Sequence, residues 1–180
     1  MDAEITRWIN SFAGISPILD RVVTFVTTFG VPLIVAVVVL QWWSRDDRRH
    51  VRHAAICAGL AFLLGLAINQ VILLGVHRVR PYDMGLTHLL IAPSADWSFP
   101  SDHATASMAV VAAFVLQGLR VRSLALFGMA FLVCLSRVFV GTHYITDVLG
   151  GAATGLVAAI AVRLLYRENT RIDRLLTSLL

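Results

Sequence analysis

Five long apolar blocks, at residues 18–43, 54–76, 102–119, 123–141 and 144–166, constrain this chain more than any other feature. Each approaches the roughly 20 mostly apolar residues that cross a bilayer. A chain inserted this way must satisfy its backbone groups internally, and helices do so segment by segment. The expected fold is all-α: a polytopic membrane helical bundle of about five transmembrane helices, in one domain over residues 1–180. Composition agrees, at 58% hydrophobic and 14% charged residues. The segment MDAEITRWINSF begins with acids where a cleaved signal would carry positive charge. It reads as a sixth, interfacial helix with Ile5, Trp8, Ile9 and Phe12 on its apolar side. The first block carries Asp20, Arg21 and the run Gly30-Val31-Pro32, so a kink or a separate outer piece is expected there. Cys57 and Cys134 lie within apolar blocks, away from any metal or disulfide grouping, and read as packing residues.

All 15 basic residues are arginine, and the formal charge is +4. Their distribution says more than their sum. Arg45, Arg48, Arg49 and Arg52, then Arg120 and Arg122, then Arg163, Arg167, Arg171 and Arg174, fall in segments that five spans bring to one side. Arginine-rich loops stay in the cytoplasm, so the bilayer, and no nucleic acid, is the expected partner. The opposite side carries Arg7, Arg21, Arg78, Arg80 and Arg137.

The residues that break this charge pattern also gather chemistry. Arg80 and Pro81 open the outer loop; Pro100, Ser101, Asp102 and His103 close it; Ser136 and Arg137 end the fourth block; His143 and Asp147 begin the fifth. The forks of Arg80 and Arg137 suit phosphate oxygens, and the amides of Ser101 to His103 open a helix, where anions bind. His143 and Asp147 stand at i and i+4. The carboxylate is therefore expected to hold Nδ1–H and leave Nε2 free as a nucleophile toward phosphorus. His103, from another helix, is placed to protonate the leaving oxygen and then activate water. Gly141 lies between Arg137 and His143 and is expected to break the helix so that both face one group. No Cys/His/carboxylate grouping has metal-ligand spacing, and no cofactor is called for.

Blander readings cover the rest. Ser101 reads first as a helix cap, and Arg78 as a solvated or headgroup charge. His50, His53, His77 and His88 have no positioned partner in the sequence. Trp8, Trp42, Trp43 and Trp97 suit an aromatic belt. Gly151 and Gly155 suit close helix packing. A channel or transporter would carry polar residues mid-membrane, where only Asn69 and Gln70 occur.

At these positions the chain resembles the type 2 phosphatidic acid phosphatase superfamily of membrane lipid phosphatases. Ser136, Arg137, His143 and Asp147 match its third block completely; Pro100, Ser101 and His103 match the second, and Arg80 and Pro81 the first. Two positions depart: Leu73 replaces the lysine of the first block, with Arg78 as partial substitute, and Asp102 replaces the glycine of the second. Asp102 is expected to pair with Arg78 or Arg80, or to position water. Both departures are similar to the bacitracin-resistance branch of undecaprenyl-diphosphate phosphatases. The resemblance implies metal-independent hydrolysis of an isoprenyl diphosphate lipid, undecaprenyl diphosphate, on the outer face of a bacterial inner membrane. Catalysis would fall to His143, His103 and Asp147, and phosphate binding to Arg80, Ser101, Asp102, Arg137 and Ser136. Phosphatidylglycerol phosphate, phosphatidic acid or another isoprenyl diphosphate remain alternative substrates.

Overall fold

The computed structural model describes residues 1–178, and these form helices with no strand among them. The helices are α1 (Asp2–Asn10), α2 (Pro17–Leu40), α3 (Arg48–Leu73), α4 (Asp102–Leu116), α5 (Arg120–Phe139), α6 (Ile145–Leu165) and α7 (Arg171–Thr177). Four of them, α2, α3, α5 and α6, are long and apolar enough to cross a membrane. Their outward faces carry exposed Phe25, Leu63, Phe131 and Leu149, as expected of surfaces that meet lipid tails. The chain is a multi-pass membrane protein.

The fifth apolar helix, α4, has only 15 residues, about 22 Å at 1.5 Å per residue. Side-chain bonds at its two ends show that it nevertheless traverses the bundle. At its start, Asn69 near the end of α3 donates to Asp102 and Thr105. At its end, Gln117 bonds His53 near the start of α3. Its length suffices because it lies inside, packed by α3, α5 and α6, with residues Ala104 through Phe114 almost all buried.

Close approach depends on small residues. Ala54, Ala58 and Ala61 of α3, Ala109 and Ala113 of α4, Ala130 of α5 and Ala159 of α6 share one core cluster. Gly151 and Gly155 of α6 face α4 as the sequence suggests: a Cβ at Gly155 would stand 2.5 Å from the Thr105 carbonyl oxygen and 2.7 Å from the Ala109 nitrogen. Both are backbone atoms, and neither can move without moving the helix. Gly155→Ala should therefore lower stability in detergent by about 1–3 kcal/mol. Gly128→Ala, at a site with nothing within 4 Å, should leave the melting temperature unchanged. Equal melting of the two variants would contradict this packing.

Three details differ from the sequence reading. The first block has no separate outer piece: Pro32 lies inside α2, because neighbouring turns and the packed bundle tolerate one lost backbone bond. The residues after the last block include α7, started by the Thr170 side chain accepting from the Asp173 amide at 3.2 Å. His50 and His53 do have partners: Nδ1 of His50 is 2.9 Å from Glu168, and Nδ1 of buried His53 is 2.7 Å from Asp173. These bonds dock the C-terminal segment onto the arginine-rich end. Arg122 fixes the loop after α2 there through Gln41 and Ser44, each at 2.9 Å.

Candidate active site

The end opposite the arginine-rich loops holds a small polar cavity of about 110 Å³, lined by Arg80, Ser94, Asp96, Pro100, Asp102, His103, Arg137 and His143. The three expected segments converge here. Convergence begins with the break after α5. Gly141 adopts φ +84°, and a Cβ there would stand 2.5 Å from the His88 carbonyl oxygen, so glycine is required on both counts. Thr142 then turns back onto the Arg137 carbonyl through its amide, at 3.2 Å, and its hydroxyl, at 3.0 Å. The turn carries buried His143 to the cavity that Arg137 also lines.

His143 is oriented by the outer loop. Its Nδ1 lies 2.8 Å from the Ser98 carbonyl oxygen, which can only accept, so the proton sits on Nδ1 and Nε2 carries the lone pair. Nε2 stands 3.4 Å from an Arg80 guanidinium nitrogen. Burial pushes the imidazole pKa below its ordinary value, and Arg137 and Arg80 add to this, while Asp147 opposes it. The balance favours the neutral ring.

Asp147 does not hold Nδ1 directly: the separation is 3.7 Å. Its carboxylate instead accepts from the Tyr144 amide at 2.9 Å, the Ser98 hydroxyl, and Arg78 at 2.6 Å. Position i+4 brings it beside the ring, but Ser98 enters between them in effect, bonding Asp147 through its hydroxyl and His143 through its carbonyl. Ser98 had no signal in the sequence beyond lying three residues before Ser101.

The two arginines differ in how much of each guanidinium is committed. Arg80 donates to the Asp96 carbonyl at 3.0 Å, the Asp96 carboxylate at 2.7 Å, the Thr142 carbonyl at 3.0 Å and the Trp97 carbonyl at 3.3 Å. Arg137 donates to Thr27 at 2.7 Å, and its buried Nε has no partner among the described residues. The buried Ser101 hydroxyl is likewise unpartnered. Unmet buried donors are costly, and phosphate oxygens are acceptors that would satisfy them.

Other site expectations are redrawn. Asp102 pairs with neither arginine; its carboxylate accepts from Asn69 at 2.7 Å, because α3 presents an amide at that level. The Ser101 amide is engaged by the Asp147 carbonyl at 3.1 Å, so of the expected amides those of Asp102 and His103, in the first turn of α4, are the ones without an intrahelical partner. Ser136 is turned away from the cavity, its hydroxyl donating to the Val133 carbonyl at 2.6 Å. Arg78 is not simply solvated: it joins Asp2 at 2.5 Å to Asp147 at 2.6 Å and lies 3.9 Å over the Tyr144 ring. Asp96, the partner of Arg80, is a cavity residue the sequence reading missed.

Two histidines and two buried arginines around one cavity at the end of a membrane bundle suit phosphoryl transfer from a lipid, with arginine as the source of positive charge. The PAP2 superfamily profile matches residues 54–171. Undecaprenyl-diphosphatase BcrC of Bacillus subtilis (strain 168) is 34% identical over 170 residues, covering 92% of this chain and 82% of that protein. Phosphatidylglycerophosphatase B of the same organism is 30% identical, covering 82% of this chain and 75% of that protein. The crystal structure of a transmembrane PAP2-type phosphatidylglycerolphosphate phosphatase from Bacillus subtilis superposes with a TM-score of 0.70 at 26% identity, covering 94% of this chain and 86% of that one. The protein is thus a membrane-integral phosphatase with lipid phosphatases as relatives. The chain belongs to the PAP2 superfamily.

Proposed function

We propose that this protein hydrolyses undecaprenyl diphosphate to undecaprenyl phosphate and inorganic phosphate, through a phosphohistidine on His143, at the outer face of a bacterial cytoplasmic membrane. The observation that carries the chemistry is the unprotonated Nε2 of His143, facing Arg80 at 3.4 Å in a cavity shared with Arg137 and His103. In the first step the Nε2 lone pair attacks the terminal phosphorus, and the bond from phosphorus to the bridging oxygen breaks. That oxygen leaves with the lipid phosphate and takes a proton from His103, which enters this step as imidazolium and leaves it neutral. In the second step His103 removes a proton from water, whose oxygen attacks the phosphohistidine and frees phosphate and His143. Arg80 and Arg137 stabilise the charge that builds on the equatorial oxygens.

The ten arginines of the opposite end, which favour the cytoplasm, support the outer orientation. The likeness to BcrC over most of both chains supports a diphosphate lipid. Asp102 supports it too, since its carboxylate lines the cavity with no arginine partner. It repels a lone monoester dianion, whereas a diphosphate spreads its charge over two groups. Purified protein should therefore hydrolyse undecaprenyl or farnesyl diphosphate with kcat/KM at least about tenfold above phosphatidic acid, about 1.4 kcal/mol in transition-state stabilisation. Asp102→Gly should narrow the ratio. Equal efficiencies in the parent protein would remove the substrate assignment and leave the phosphatase chemistry intact.

A further inference from the structure

The N-terminal helix α1 has an apolar side, with Ile5 and Trp8 exposed on it and Phe12 exposed just beyond its end, as an interfacial helix should, while Ile9, expected with them, packs against the bundle. Its other side is where it is buried. Thr6 and Asn10 are 0% and 5% exposed, and with Asp2 they form a polar stripe at four-residue spacing along one face. Each of the three bonds a different part of the turn that carries His143.

Asn10 works on the end of α5. Its amide nitrogen donates to the Phe139 carbonyl at 2.7 Å and the His88 carbonyl at 2.9 Å, and its oxygen accepts from the His88 amide at 2.7 Å. Phe139 is the last residue of α5, so its carbonyl is one that no intrahelical amide can reach. Thr6 and Asp2 work on the start of α6. The Thr6 hydroxyl oxygen accepts from the Ile145 amide at 3.1 Å, and Asp2 accepts from the Thr146 amide at 3.2 Å and the Thr146 hydroxyl at 2.7 Å. Ile145 and Thr146 open α6, and their amides are likewise without intrahelical partners. Caps usually come from the helix's own flanking residues, as Asp147 does for the Tyr144 amide; here a separate helix adds further caps on both sides of the break at Gly141.

Asp2 reaches further. Arg78 lies between Asp2 and Asp147, and also donates to Thr146 at 2.6 Å. Burial would raise the Asp2 carboxyl, but bonds from Thr146 and Arg78 hold it below the usual carboxylate range. The chain Asp2–Arg78–Asp147–Ser98–His143 is thus continuous in ion pairs and hydrogen bonds.

We infer that α1 is a positioning strap for the nucleophile: Asp2, Thr6 and Asn10 cap the α5–α6 break from outside, and Asp2 fixes Arg78 on Asp147. None of the three touches the cavity, so they are positioning residues acting through the turn and Arg78. This inference rests on His143 being the attacking group. A displacement of the reacting atom costs rate more than binding, because Arg80 and Arg137 would still hold the phosphate.

The test uses the full chain in detergent with farnesyl diphosphate, measuring kcat, KM and melting temperature for Asp2→Ala, Asp2→Glu, Thr6→Val and Trp8→Ala. Asp2→Ala should lower kcat about tenfold or more, with KM within about twofold of the parent. Thr6→Val should fall in the same direction by less, and Asp2→Glu should recover most of the lost rate. Trp8→Ala, on the lipid side of α1, should match the parent. An Asp2→Ala protein with parental kcat, or a loss equal to that of Trp8→Ala, would overturn the strap. His143→Ala in the same assay separates the two claims. If it is inactive while Asp2→Ala is unimpaired, only the strap fails; if it turns over normally, the nucleophile assignment itself has failed.

Discussion

His143→Ala should lose turnover by about four orders of magnitude or more, the scale seen when a covalent nucleophile is removed, while the purified protein stays folded. The expectation comes from the tautomer. With Nδ1–H committed to the Ser98 carbonyl, Nε2 is the one lone pair the ring presents to the cavity. Alanine offers nothing in its place. Asp147→Asn should be milder, because Asp147 acts through Ser98, Arg78 and the Tyr144 amide and does not touch the cavity. It should fold and turn over slowly. Phosphate release from a diphosphate lipid, with melting curves on the same samples, checks both; near-parental turnover by His143→Ala would end the mechanism.

Arg137→Ala should cost about a thousandfold in kcat/KM, in the range of removing a group that stabilises transition-state charge in a dry site. Arg137 is the better probe of the two arginines. Arg80 holds the outer loop together through Asp96, Trp97 and Thr142, so its removal would loosen structure as well as chemistry. Arg137 spends one nitrogen on Thr27 and keeps Nε without a protein partner among the described residues. Arg137→Lys should recover little, since a point charge cannot replace a fork. Loss confined to about tenfold in Arg137→Ala would mean that the phosphate is held chiefly elsewhere.

The sequence made the helices and the turn at Gly141 legible for a physical reason: hydrocarbon admits few backbone solutions, and a break between Arg137 and His143 needs a residue free of a Cβ. The gathering of Arg80, His103, Arg137 and His143 was legible because they stand at one end of an alternating bundle. What could not be read was who bonds whom. Asp147 sits at i+4 from His143, yet Ser98 takes the ring proton, because the loop between α3 and α4 folds back onto the site: the Ser98 amide bonds the Arg78 carbonyl at 2.8 Å. Loop folding of that kind has no periodicity to announce it. Arg80 found Asp96 for the same reason, whereas Asp102 found Asn69 because α3 packs an amide against the start of α4. The polar stripe of Asp2, Thr6 and Asn10 was visible in principle as a four-residue repeat on α1, but the apolar side of that helix gave the stronger signal.

The phosphoenzyme is the most direct test of the account. Protein incubated with farnesyl diphosphate labelled in its terminal phosphate, and quenched in alkali during turnover, should carry acid-labile, alkali-stable label on His143. His143→Ala should carry none. Label on His103, label retained by His143→Ala, or an unlabelled parent protein quenched while turning over would each contradict nucleophilic attack by His143.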